Sequence, residues 1–495
     1  MKHILGISAG FHDAAVSVVR EDGEILFAGH SERYSKIKND PDLHPDLLRE
    51  CFGYEFDTVA FYERPWMHNY QQWRSGQGAY GPWTTHQAIR QHLGTWYQRP
   101  APREVSYRHH LSHAAAGFQT SPFEEACVVV IDAIGEMDTV SIWQARYDNR
   151  GQAQYRLRWR LGYPHSIGLF YSAITKAVGL KPQEEEYITM GMAAYGSSLG
   201  AARLREQFID DSHGVFRFRQ NLHTGLDNHE LLFTHDEDIA ASAQALTESL
   251  ILQVMTQARG LVDSANLVYM GGVALNCVAN SKLGQIYENI WIMPNPGDAG
   301  SSLGAAALAH GGRLRWRHAG LGHDISGPYP VDRCCDHLLA RGIVGVASGR
   351  AEFGPRALGN RSLLADPRGP DIKNQVNEIK RRQKFRPFAP AILEEYAYRY
   401  FEMPRGYLSS RYMQAVARVR DPAAYPAITH VDGTARVQTV PADGSGFRRL
   451  LEAWYARTGC PMLLNSSLNV RGEPMVNNRA DADRFERLYG VAVCS

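Results

Sequence analysis

The sequence lacks a CxxC pair and any regular cysteine framework: its seven cysteines, at 51, 127, 277, 334, 335, 460 and 494, are odd in number and scattered. That excludes a disulfide-stapled scaffold and predicts reduced thiols in a cytoplasmic protein. An excess of charge of one sign is missing too. The formal net charge is +1, so no overall field draws the chain to nucleic acid or membrane, and only local patches remain. Long apolar runs are absent as well. The longest, ACVVVIDA at 126–133, falls far below the ~20 residues a bilayer span requires. No basic n-region or cleavage site precedes the first strand-like run in MKHILGISAG, so a soluble intracellular protein is expected.

What is present is ordinary globular composition, 44% apolar and 21% charged, spread over 495 residues. That length exceeds one hydrophobic core and predicts two or three domains. HILGISAGFHDAAVSVV at 3–19 reads as strand, glycine turn, strand, and ACVVVIDAIGEMDTVSIW at 126–143 repeats that grammar. A third version, LVYMGGVALNCVANSKL at 267–283, runs strand, Gly-Gly, helix-like segment. Such turns bring Gly10, Gly271, Gly272 and Asn276 where bare N–H groups can approach phosphate or ribose. Leu246, Leu250, Val254, Ala258 and Leu261 recur at helical spacing and predict a core-facing helix over 244–262. Residues 163–196 read as partly helical. The Gly- and Arg-rich stretch 311–330 lacks periodicity and marks the main boundary, beyond which GIVGVASG and PMLLNSSLNVRGEP predict strands of a smaller α/β unit.

RHHLSHAAAG at 108–117 places His109 and His113 four apart, on one face of a helix, which is the spacing of a two-histidine metal grip. Capping or a buried, hydrogen-bonded histidine would give the same pattern. Asp132, at a strand end, and Asp298, in the glycine turn NPGDAGSSLGAA, either cap backbone N–H groups or complete a mixed N/O shell. Two imidazoles with two carboxylates suit Fe²⁺, Mn²⁺ or Zn²⁺ better than Mg²⁺. His110 points elsewhere on such a helix. His12, after the first glycine turn, is a general-base candidate, with a hydrogen-bonded hairpin-end histidine as the alternative. The C-terminal unit carries Arg356, Arg361, Lys380, Arg382, Arg386, Arg436, Ser467, Asn469 and Arg471 among Gly, Pro, Phe and Ala. Arginines in that setting read as guanidinium forks for phosphate or carboxylate, not as a solvated face.

Nine blocks stand in one order: GISAGFHDAAVSVV, HHLSHAAAGF, VVVIDAIGE, GGVALNCVAN, GDAGSSLGAA, FGPRALGNRSLLADPR, FRPFAPAIL, HVDGTARVQTV and LLNSSLNVRGEP. On them the chain resembles, over nearly its whole length, the O-carbamoyltransferases of the nodulation, tobramycin and cephalosporin type. The resemblance implies an α/β fold in two domains. Residues 1–320 would form a Kae1-like domain of the actin/sugar-kinase class with duplicated RNase H-like subdomains, and residues 331–495 a YrdC-like domain. It implies ATP and carbamoyl phosphate as substrates of the C-terminal domain, which joins them through a carbamate into carbamoyl-adenylate. Transfer to an acceptor hydroxyl follows in the N-terminal domain beside one divalent metal, with Fe²⁺ ahead of Mn²⁺ or Zn²⁺. By the same resemblance His109, His113, Asp132 and Asp298 match metal ligands and His12 the base. Arg356, Arg361, Lys380, Arg386, Arg436 and Ser467 match carbamoyl phosphate and ATP contacts. Asn39 and Thr189 depart from residues frequent in the family, so the acceptor cannot be carried over.

Residues 62–110 hold six arginines against two acids, with nine Trp or Tyr interleaved. The segment reads either as a folded insertion or, over 62–108, as a platform for a polyanionic or ring-bearing acceptor; RLRWRH at 313–318 has the same character. The acceptor is expected to be a natural-product or sugar hydroxyl, or 5-hydroxymethylcytosine in phage-type DNA flipped to the metal. For a phage protein the compartment would be the host cytoplasm. No membrane partner is expected, and a homodimer is the assembly considered. Two competing readings are a tRNA threonylcarbamoyl-type enzyme and a non-catalytic actin-like ATP-binding module. The first is opposed by the GPRALGNRS and FRPFAP blocks, the second by the C-terminal cationic array.

Overall fold

The computed structural model describes residues 2–51, 53–74, 81–98, 101–212, 214–226, 231, 233–407 and 409–495. The first sheet is built from β1 (His3–Ser8), β2 (Ala15–Arg20), β3 (Ile25–His30), β4 (Phe56–Phe61) and β5 (Arg103–Ser106), in the order β3-β2-β1-β4-β5. The β1–β2–β3 ladder is antiparallel, while β4 and β5 add parallel to β1. A second sheet follows from β6 (Glu125–Gly135), β7 (Asp138–Tyr147) and β8 (Ala153–Gly162). After a ribbon of β9 (Ile209–Asp210) and β10 (Arg217–Phe218), β11 (Asn266–Met270) and β12 (Asn289–Trp291) complete it. Its order is β8-β7-β6-β11-β12, antiparallel on the hairpin side and parallel on the other. The two sheets share one strand order and one set of strand directions, the structural counterpart of the grammar read at 3–19 and 126–143.

Two short helices of small residues fill the space between the sheets. His109–Phe118 packs on β6 and β11, and Ser301–His310 packs on β1 and β2. Ala114, Ala115, Ala116, Leu303 and Ala306 share one core with Ile4, Ala15, Val128 and Val268. Their crossing is close because a side chain is missing where they meet: a Cβ on Gly304 would stand 1.8 Å from the Ser112 carbonyl oxygen. On the outer face of the second sheet lies the helix Asp236–Leu261, longer than the predicted 244–262, with Leu246, Leu250, Val254 and Ala258 buried and Leu261 at the rim of that core. The partly helical stretch 163–196 resolves into Ile167–Ala177 and Glu186–Met192.

Within the predicted boundary 311–330, β13 (Gly320–Ile325) is an ordered strand. It pairs antiparallel with β15 (Gly349–Glu352), so the chain crosses into the last part of the fold along a ladder and not a loose linker. The third large sheet comprises β14 (Ile343–Ala347), β16 (Arg361–Ala365), β17 (Ala389–Leu393), β21 (Gln438–Val440), β22 (Met462–Ser467) and β23 (Val493–Cys494), ordered β21-β17-β22-β16-β14-β23. A small sheet of β18 (Phe401–Glu402), β19 (Val416–Val419) and β20 (Thr434–Arg436) flanks it. The third sheet is covered on both faces, which is why GIVGVA at 342–347 is a continuous apolar run. No helix among the described residues is long and apolar enough to cross a membrane. All seven cysteines are buried and unpaired.

Candidate metal centre

The interlayer helix His109–Phe118 projects His109 and His113 toward the mouth between the sheets. There the end of β6 supplies Asp132, and the turn entering Ser301–His310 supplies Asp298. All four are buried, and their ligand atoms lie within 4.8 Å of one another. His109 Nε2 is 3.2 Å from Asp132 Oδ2 and 3.2 Å from Asp298 Oδ1; His113 Nε2 is 3.3 Å and 3.2 Å from the same two oxygens. The two Nε2 atoms stand 3.0 Å apart. Ligand atoms bonded at 2.0–2.2 Å to one centre are spaced about 3.0–3.5 Å from each other, so this donor set fits a divalent ion such as Fe²⁺, Mn²⁺ or Zn²⁺. The electrostatics agree. Burial opposes charge on His109, yet the Asp298 and Asp132 carboxylates outweigh it and hold the imidazole well above its ordinary range. Burial likewise opposes ionisation of Asp132, and the two histidines outweigh it and hold the carboxyl well below its ordinary range. The pocket is built for positive charge.

His110 turns away: its Nδ1 bonds Ser141 Oγ at 2.8 Å, and burial lowers its pKa to about 3, so it stays neutral and structural. His12 stands on the open side, partly exposed, with Nε2 3.5 Å from Asp298 Oδ2 and Nδ1 3.1 Å from Asp13 Oδ2. Burial lowers its pKa, but the Asp298 charge and the Asp13 bond raise it further, to about 9. Gly272 N–H donates to Asp132 Oδ1 at 3.2 Å, and Gly271 adopts φ 92° to place that turn. Asn276 is engaged in a buried amide pair with Gln244, at 3.0 Å in both directions, and also caps Ala279 N–H. Gly10, at φ 104°, donates to Pro41 O and lines a cavity toward His92 instead of joining the Gly271 turn.

Three neighbours carried no readable signal in the sequence. A Cβ on Gly135 would stand 2.5 Å from the His109 ring and 2.6 Å from that of His110, so only glycine lets β6 pass behind both. Glu136 is buried, accepts Arg64 N–H at 2.7 Å, and is pushed up to about 7 by burial. Glu63 approaches His109 Nδ1 at 3.8 Å from the face opposite the ligand atoms.

In the C-terminal part, Arg356, Arg382, Arg386 and Arg436 crowd together beside Tyr187, and the pKa of Arg356 falls to about 9 through burial and then the charge of Arg436. Arg386 lies over the Tyr187 ring at 4.7 Å, and Arg471 pairs with Glu185 at 3.0 Å, so the array abuts the Glu186–Met192 helix. Arg436 Nε is buried without a hydrogen-bond partner. Such crowding of guanidinium groups has the chemistry that suits an anion. Lys380 Nζ is buried against Ser467 O and Oγ, Asn469 O at 2.9 Å and Asn469 Oδ1 at 2.9 Å, tying the exit of β22 to the helix Ile372–Ile379. Arg361 differs from its predicted neighbours. It is fully buried and donates to the carbonyls of Asn477, Ser348, Gly349, Asn360 and His323 at 2.9–3.2 Å, so its guanidinium serves the main chain. In RLRWRH the arginines are spent on ion pairs, Arg313–Glu124, Arg315–Asp22 and Arg317–Glu24. Tyr80 and Arg99 of the 62–108 segment lie outside the described residues.

Against known proteins, residues 82–307 match the family model described as carbamoyltransferase N-terminus, and residues 335–492 match carbamoyltransferase C-terminus. An uncharacterised protein of Synechocystis is 34% identical, with 98% of this chain and 94% of that one covered. The nodulation protein NolNO of Sinorhizobium fredii is 33% identical over 95% of this chain and 76% of its own. A 3'-hydroxymethylcephem-O-carbamoyltransferase of Amycolatopsis lactamdurans is 35% identical over 51% of this chain and 52% of its own.

Proposed function

The chain belongs to the carbamoyltransferase family and is an enzyme of carbamoyl transfer, and from that premise we propose that it is an ATP-dependent O-carbamoyltransferase working through carbamoyl-adenylate. The strand order repeated in the first two sheets supports reading residues 1–320 as a Kae1-like, actin/sugar-kinase-class domain. The mixed third sheet is compatible with a YrdC-like domain over 331–495.

In the C-terminal domain carbamoyl phosphate loses inorganic phosphate to water, giving carbamate. A carbamate oxygen then attacks the α-phosphorus of ATP, and pyrophosphate leaves. Several negative charges meet in that step, and Arg356, Arg386, Arg436 and Arg471 are the clustered cations that would meet them, while Lys380 holds the Ser467–Asn469 turn. In the N-terminal domain the acceptor oxygen attacks the carbonyl carbon of the adenylate, the bond from that carbon to the phosphate oxygen breaks, and AMP leaves. The acceptor proton passes to His12 Nε2, whose ring Asp13 orients through Nδ1. A divalent cation held by His109, His113, Asp132 and Asp298, with Fe²⁺ ahead of Mn²⁺ or Zn²⁺, would neutralise the adenylate phosphate and the carboxylate charge that keeps His12 protonated. The observation that carries this reading is His12 Nε2 standing 3.5 Å from Asp298 Oδ2, an imidazole at the open edge of a four-ligand cluster. The buried free thiols are in keeping with a reducing, cytoplasmic setting. The acceptor hydroxyl belongs either to a small natural product or sugar, or to hydroxymethylated cytosine in DNA.

Incubation with carbamoyl phosphate and ATP should release pyrophosphate. Lys380→Ala should abolish that release, and His12→Ala should keep it while blocking transfer to acceptor. Absence of pyrophosphate release from the parent protein would refute the adenylate route, and loss of both steps in His12→Ala would refute the role given to His12.

A further inference from the structure

Between β4 and the helix Pro65–Arg74 the chain passes beside His109, with the Tyr62 ring 5.1 Å from the imidazole. It is pinned there on both sides of one residue. The Tyr62 carbonyl accepts Ser112 Oγ–H at 2.7 Å, from the helix that carries both metal-ligand histidines. The Arg64 N–H donates to Glu136 at 2.7 Å, just beyond the end of β6. Glu63 lies between these two anchors and is itself buried. Main-chain bonds therefore fix where its carboxylate starts, before it makes any contact of its own.

That carboxylate reaches the far side of a metal ligand. Glu63 Oε2 stands 3.8 Å from His109 Nδ1, the ring nitrogen opposite the one that faces Asp132 and Asp298. Its Oε1 lies 3.6 Å from Nδ1 of His68, on a helix that leaves Trp66, Tyr70 and Trp73 exposed. His109 Nδ1 is buried and has no hydrogen-bond partner among the described residues. A neutral imidazole carries one proton, and an ion taken by Nε2 leaves that proton on Nδ1. A buried N–H without an acceptor is costly, and closing the gap to a charge-assisted bond of about 2.8 Å takes a movement of about 1 Å. The second histidine is placed differently. His113 Nδ1 is also buried and unpartnered, but among the described residues the carboxylates paired with this ring are Asp132 and Asp298, both at Nε2.

We infer that Glu63 is a positioning residue of the metal centre, accepting the Nδ1–H of His109 and so fixing which nitrogen faces the ion and how strongly it donates. A carboxylate in that place raises the basicity of the ligand and adds a negative charge behind it. The inference rests on the part of the preceding reading that gives His109, His113, Asp132 and Asp298 a divalent cation; it makes no use of the transfer reaction.

The experiment titrates the chelator-treated full chain with Mn²⁺ and with Co²⁺ against a fluorescent chelator, and records a melting curve before metal is added. Glu63→Leu should bind both ions about 10- to 100-fold more weakly than the parent. Glu63→Gln keeps an oxygen for the N–H without the charge, and should recover part of that loss. His68→Leu removes the contact to the Pro65–Arg74 helix and spares the carboxylate, so its affinity should stay within about threefold of the parent's. The visible bands of bound Co²⁺ should move in both Glu63 variants and hold in His68→Leu. Parent-like affinity in Glu63→Leu overturns the inference, as does a loss in His68→Leu that equals it. If Glu63→Leu does not fold, Glu63→Gln decides: parent-like affinity and bands, with or without a lowered metal-free melting temperature, mark a scaffold residue and overturn the role. A parent that binds neither ion strikes the metal centre and this role together, whereas a parent that binds both beside unaffected Glu63 variants strikes only the role of Glu63.

Discussion

His109 and His113 hold their Nε2 atoms 3.0 Å apart inside the protein, each also within 3.2–3.3 Å of an Asp132 and an Asp298 oxygen. Two imidazole nitrogens facing one another at that distance share either a proton or a cation. The surrounding carboxylates favour the second, since they balance a divalent charge.

Metal binding should therefore stabilise the fold measurably. Adding Fe²⁺, Mn²⁺ or Zn²⁺ to chelator-treated protein should raise the melting temperature; an ion present at 100 times its Kd contributes about 2.7 kcal/mol. His113→Asn should erase that shift, and elemental analysis should find the variant metal-free. A parent protein whose melting curve ignores all three ions would rule the site out.

Gly135→Ala removes no ligand atom, yet its added Cβ would stand 2.5 Å from the His109 ring. The ring must shift, and metal affinity should fall about 10- to 100-fold, as when an outer-shell partner is lost. Competition against a fluorescent chelator reads this directly, and an affinity equal to that of the parent would contradict the packing argument.

Glu136 ties pH to stability. Burial raises its pKa from 4.5 to about 7, so in that window the unfolded chain ionises while the fold keeps the proton. The native state binds more protons there, and stability falls as pH rises from 4.5 to 7, by roughly 3 kcal/mol in all. Glu136→Gln keeps an oxygen for Arg64 N–H and lacks the titration. Urea unfolding should show the variant gaining on the parent as pH is raised through that window, then holding level above it. A difference that stays constant across it would disprove the assignment.

Arg436 sits in a crowd of arginines with a buried, unpartnered Nε, and its charge depresses the pKa of Arg356. Arg436→Gln should raise the melting temperature of the anion-free protein and shrink the stabilisation given by ATP or inorganic phosphate. Lower stability without anion, combined with a full ATP response, would show that this arginine serves the scaffold.

The reach of the sequence follows the range of the interactions. Helical spacing made His109 and His113 legible as neighbours, since four residues on a helix settle their geometry locally. Asp132 and Asp298 come from a strand end and a turn 166 positions apart, and only the packing of two layers brings them to the histidines. Two alternating patterns at 3–19 and 126–143 made the first and second sheets visible, but not that their strand orders coincide. Arg356 and Arg361 share one block, yet the first joins a buried crowd of arginines and the second is spent on five carbonyls; composition cannot tell a guanidinium in a cationic cluster from one bound to the main chain. Glu63, Gly135 and Glu136 matter through what stands behind them. That is tertiary information which spacing does not carry.

The two helices between the sheets meet at Gly304 and Ser112 with no side chain to key them together. His109 and His113 ride on one of these helices, and Asp298 on the turn leading into the other. An ion bonded to all three would work as a rivet driven through the midplane, locking against slip two slabs that otherwise touch along a smooth seam. Drawing the rivet would loosen both slabs at once, so the protein's stiffness and its chemistry would depend on the same bolt.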